Sequence, residues 1–103
     1  MGKQLFDQFT YLHFASGIIV YYWGLEFWTW MILHAIFEWL ENTKIGMNFI
    51  NNALGGIWPG GKSSPDSFNN IIGDNIGTGV GWLSALALDR IGNKFGWYAR
   101  HIV

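Results

Sequence analysis

Residues 8–37 read QFTYLHFASGIIVYYWGLEFWTWMILHAIF, and their only formal charge is Glu26. A stretch this poor in charge is what a bilayer selects, because an ionised side chain at its centre costs at least about 2.5–3.5 kcal/mol. The run is too long for one simple span. It breaks at Gly24-Leu25-Glu26, where a glycine and the lone charge favour a tight hairpin. Helix one is then expected over about residues 6–23 and helix two over about 27–43. Tyr21, Tyr22, Trp23, Trp28 and Trp30 cluster around the hairpin, as an interfacial aromatic belt would.

Outward from this stretch the pattern persists. Residues 75–88 carry no charge, and a third helix is expected over about 69–91. A full span takes roughly 20 residues, so the first two helices fall slightly short and need local thinning or aromatic anchoring. Residues 43–68 are rich in Gly, Asn and Ser and read as loop. Within them Ile50, Leu54, Ile57 and Trp58 suggest a short interfacial helix near 45–54. Residues 89–103 mix Arg90, Lys94 and Arg100 with Phe95, Trp97 and Tyr98, which suits a surface-lying amphipathic tail.

Composition bounds the class. Of 103 residues, 50% are hydrophobic, 18% aromatic and only 13% charged, with mean hydropathy +0.18. The absence of Cys excludes a disulfide framework and a thiolate zinc site. A net charge of −1 gives no electrostatic footprint for nucleic acid. The expected fold is an all-α, single-domain membrane bundle of about three transmembrane helices. A monotopic hairpin and a soluble bundle with an aromatic core are the alternatives. Basic residues divide evenly, with Lys3, Lys44 and Lys62 on one side and Arg90, Lys94 and Arg100 on the other, so they set no orientation. No cleavable signal, myristoylation site or internal repeat is evident.

This topology brings polar residues to one end. Asp7 and His13 come from helix one. His34, Glu38, Glu41 and Asn42 come from helix two. Asp66, Asn70 and Asp74 come from the approach to helix three. At about 1.5 Å rise per residue, His13, His34 and Asp74 lie roughly 9–12 Å deeper than Asp7, Glu41 and Asp66. His34, Glu38 and Glu41 share one helical stripe, and Asp66, Asn70 and Asp74 repeat every fourth residue. Carboxylates in such chain are expected to face one another, a cation or a wet cavity. Gly73, Gly77 and Gly81 form a doubled GxxxG suited to close helix packing.

The motifs carry a resemblance. Asp7-x-x-Thr10-x-x-His13-x-x-x-Gly17, then Phe37-Glu38-x-x-Glu41-Asn42-Thr43, then Asp66-Ser67-x-x-Asn70-x-x-x-Asp74 and Gly81-Trp82, resemble in order and spacing an uncharacterised family of bacterial integral membrane proteins, a domain of unknown function that is distantly VanZ-like. Ser16 stands where that pattern has a second histidine, His34 where it has a further glutamate, and Pro65 where it has a glycine. The resemblance implies a membrane location and no assigned activity.

Three functions compete for the cluster. It could bind a lipid or lipid head group. It could hold a divalent metal on His13, His34, Glu38 and Asp74 and act as a hydrolase or transferase on a lipid or lipid-linked phosphate. It could be structural, fixing the register of a bundle in a homo-oligomer or larger membrane assembly. Membrane lipids are the expected partners.

Overall fold

The computed structural model describes residues 2–58, 61–62 and 64–98. Four helices and no strand occur among them: α1 Gln8–Tyr22, α2 Phe27–Glu41, α3 Lys44–Ala53 and α4 Phe68–Phe95. Each start has a side-chain cap. The Asp7 carboxylate accepts from the Phe9 and Thr10 amides while the Thr10 hydroxyl accepts from the Asp7 amide, a reciprocal capping box. Glu26 caps α2, Thr43 caps α3 and Ser67 caps α4. Gly24, at φ 87°, makes the turn between α1 and α2, a conformation costly for any residue with a Cβ.

α1 and α4 run parallel, and α2 runs antiparallel to both. Thr10 meets Asp74, Ser16 meets Thr78 and Tyr21 meets Asp89 along α1 and α4. From α2, Trp30 reaches Thr78, and the indole of Trp82 on α4 donates to the Leu25 carbonyl at 3.0 Å, tying the hairpin to α4. The expected glycine packing is present. A Cβ on Gly73 would overlap the Leu5 carbonyl oxygen, one on Gly81 the Phe14 carbonyl oxygen, and one on Gly17 the Thr78 carbonyl oxygen; one on Gly77 would crowd the Thr10 methyl. The seam between α1 and α4 is therefore backbone against backbone.

Burial is inverted relative to a water-soluble domain. The buried hydrophobic side chains are Val20 and Ala85, whereas Thr10, His34, Glu38, Asn70, Asp74, Thr78 and Asp89 are all buried. Large apolar side chains such as Tyr11, Trp28, Ile32, Trp39 and Phe68 point outward, each more than half exposed.

Several expected boundaries need correction. Helix one is shorter than expected at both ends, because Asp7 caps it and Trp23 closes it. Helix two stops at Glu41, because Asn42 is its C-cap and Thr43 already caps α3. α4 does not end near Ile91. It continues to Phe95 and stops at Gly96 in the left-handed region, φ 66°. The first part of the expected tail is thus α4 itself, and residues 99–103 lie outside the described residues. Of the described helices, α4 alone is long and apolar enough to cross a membrane. α1 and α2 have 15 residues each, about 22 Å at helical rise, against a hydrocarbon core of about 30 Å.

Candidate functional site

The ends of α1, α2 and α4 gather the expected residues in two tiers. The outer tier is a network of caps and ties. Asn70 donates to Asp7 Oδ2 at 3.2 Å and to the Gln4 carbonyl at 2.7 Å. Asn42 donates to the Glu38 carbonyl at 2.7 Å and accepts from the Asp66 amide at 2.8 Å, which pins the long loop to the end of α2. The Lys62 ammonium lies 2.6 Å from Asp66 and 3.7 Å from Glu41.

The inner tier holds the histidines. His13 Nδ1 and His34 Nε2 are 2.7 Å apart, with ring planes at 87°. Glu38 Oε1 lies 3.2 Å from His13 Nδ1 and 3.9 Å from His34 Nε2. Asp74 Oδ2 lies 3.3 Å from His13 Nε2, and Asp74 Oδ1 accepts from the Thr10 hydroxyl at 2.9 Å. His34 Nδ1 lies 2.9 Å from Asn75 Oδ1. Glu38 is 0% exposed, and despite its nearness to His13 neither carboxylate oxygen completes a hydrogen bond. Such a group ordinarily costs several kcal/mol to bury, so it marks the centre of the site.

A cavity of about 440 Å³ opens beside this tier. Its polar lining includes His13, His34, Glu41, Lys62, Asp66 and Asp74; its apolar lining includes Phe9, Leu12, Phe37 and Trp58. The Phe37 and Trp58 rings lie 5.7 Å apart. Two groups offer ligand atoms mutually within 4.8 Å: His13, His34 and Glu38, and Glu38, Asp66 and Asp74.

All nine expected cluster residues therefore fall at this end, though not in one role. Asp7 is primarily a helix cap, and Asn42 and Asn70 are ties. His13, His34, Glu38 and Asp74 converge. Sequence reasoning passed over Lys62, Asn75, Thr78, Ser16, Trp30 and Trp58. Asn75 and Thr78 follow Asp74 by one and four residues, a spacing that could have placed Thr78 on the same face. Lys62 had only its isolation in a polar loop to signal it. No protein-family model, curated protein or solved structure matches the chain.

Proposed function

We propose that the chain is a small polytopic membrane protein whose cavity binds a lipid by its head group. The observation that carries this reading is the cavity's mixed lining, in which charged and polar groups stand with apolar, aromatic ones, the two chemistries an amphiphile requires. The outward-facing apolar side chains support a lipid surround. α4 is long and apolar enough to supply one span, and α1 and α2 would cross with it only where aromatic anchors and local thinning shorten the bilayer.

Charge narrows the ligand. Four carboxylates and one lysine line the cavity, and that lysine is already paired. An amine-bearing, zwitterionic head group fits this balance better than a purely anionic one, and the Trp58 and Phe37 faces suit its cationic end. Native mass spectrometry of detergent-purified protein tests the reading. Wild-type protein is expected to retain phosphatidylethanolamine in preference to phosphatidylglycerol, and Trp58→Ala and Asp74→Asn to lose it. Protein that carries no lipid, or variants that carry as much as wild type, would leave the cluster a structural tie.

A further inference from the structure

The hydrogen-bond partner of His34 fixes which of its ring nitrogens carries a proton. Asn75 Nδ2 donates to the Ile71 carbonyl at 2.9 Å, so its Oδ1 is the atom turned toward His34 and accepts from His34 Nδ1. The proton of neutral His34 is thereby placed on Nδ1, and Nε2 presents a lone pair. That nitrogen faces His13 Nδ1 at 2.7 Å. On the far side of the His13 ring, Asp74 Oδ1 accepts from Thr10 and Asp74 Oδ2 lies 3.3 Å from His13 Nε2, an ionic proximity without hydrogen-bond geometry. The third atom beside the two facing nitrogens is Glu38 Oε1, on a fully buried carboxylate without a hydrogen-bond donor. Two imidazole nitrogens and a carboxylate oxygen thus converge, an arrangement that needs a proton or a metal cation among them.

We propose that His13 Nδ1, His34 Nε2 and Glu38 Oε1 form a binding site for a divalent transition-metal ion of the zinc class. Distances support it. The separations of 2.7, 3.2 and 3.9 Å place the point equidistant from all three atoms about 2.0 Å from each, against zinc–nitrogen and zinc–oxygen bonds of about 2.0–2.2 Å. These three side chains would hold a zinc-sized ion once the two ring nitrogens, 2.7 Å apart, separate toward the roughly 3.3 Å that tetrahedral bonds of about 2.0 Å require. Asp74 behind His13 and Asn75 behind His34 are the outer partners that orient metal-bound imidazoles. Two imidazoles and one carboxylate select zinc, cobalt or iron over calcium and magnesium, which prefer oxygen alone. Both histidines border the cavity, so a fourth position stays open to water or a ligand. The donor set stands without the lipid reading and does not depend on it.

The test uses full-length protein in detergent, stripped with chelator and titrated with Zn²⁺ against a fluorescent competitor, with Co²⁺ as a spectroscopic probe. One equivalent of zinc and an intense visible Co²⁺ absorption typical of four-coordination are expected. Glu38→Gln and His34→Ala should each weaken zinc binding at least 100-fold, and Asn75→Ala about 10–100-fold, as expected for an orienting partner. Asp66→Asn, which belongs to the neighbouring acidic group, should leave binding within twofold. Circular dichroism and thermal unfolding check that each variant folds. Absence of stoichiometric metal in folded wild type overturns the proposal, as does zinc binding unaffected in folded Glu38→Gln and Asn75→Ala or lost in Asp66→Asn; each would mean that a proton alone bridges the histidines.

Discussion

Thr78 is uncharged and 0% exposed, yet three helices meet on its hydroxyl. The Trp30 indole N–H donates to it at 2.9 Å, it lies 2.9 Å from Ser16 Oγ, and the Ser16 hydroxyl donates to the His13 carbonyl at 2.6 Å. The bonds run in one direction, from α2 through α4 to α1. Thr78→Val keeps the shape and removes both links, leaving an indole N–H without its acceptor. A loss of about 1–3 kcal/mol is expected, measured by chemical unfolding in detergent, with Ser16→Ala costing less because Thr78 keeps its indole donor. At this scale the sequence was legible where charge sat in apolar chain. His13, His34, Glu38 and Asp74 stand out because their burial demands partners. Thr78, Ser16 and Asn75 did not, because a neutral polar residue in a helix can satisfy itself on its own backbone. Asp7-x-x-Thr10 held a legible cap that its membership of the cluster obscured.

At the scale of the element, the glycine seam makes a graded prediction. Gly81→Ala would drive a methyl into the Phe14 carbonyl, which belongs to rigid backbone. Gly79→Ala would meet Met31 at 3.3 Å from Sδ and 3.4 Å from Cε, a flexible side chain that can yield, and Phe27 only at an ordinary 3.8 Å. Gly81→Ala should therefore cost about 1–3 kcal/mol and Gly79→Ala clearly less, compared by thermal unfolding. The hairpin makes a pH prediction. Amide donation from Trp28, then hydroxyl and amide donation from Thr29, hold Glu26 below the ordinary glutamate value of 4.5. A carboxyl group lowered on folding stabilises above its unfolded pKa and loses that contribution as pH falls through its folded one. Amide hydrogen exchange in the first turn of α2 should thus accelerate as pH falls below the ordinary glutamate range, after correction for intrinsic rates, and Glu26→Gln should abolish that dependence. Helix existence and order were legible from the charge-free runs. The far end of α4 was not, because Asp89 and Arg90 read as the start of a polar tail. Within the fold Asp89 is buried, accepts from the Tyr21 hydroxyl at 2.6 Å and from Asn93 at 3.2 Å, and so lets the helix continue.

The whole molecule has its polarity reversed, with a polar interior and an apolar exterior, within extents of 47 × 26 × 22 Å. Because the chain contains no cysteine, single introduced thiols report topology without background. In sealed vesicles Lys3→Cys and Ser64→Cys should label from the same side, and Leu25→Cys from the other. Labelling of positions 3 and 64 from opposite sides would contradict the proposed three-pass arrangement. The gathering of acids and imidazoles at one end was legible, since the turn at Gly24 and the long connector together imply it. The number of crossings was not, because 15-residue helices leave the decision to the thickness of the surrounding bilayer.

The seam between α1 and α4 also decides what can move. Backbones in contact leave no side chains free to rearrange, so these two helices translate and rotate as one strut. α2 is fastened to that strut chiefly through side-chain tips, at Trp30, His34 and the Asn42 bond to the Asp66 amide. Any wider opening of the chamber is therefore expected as a swing of α2 and α3 about residues 24–26, and amide hydrogen exchange faster in α2 than in α1 and α4 would report it.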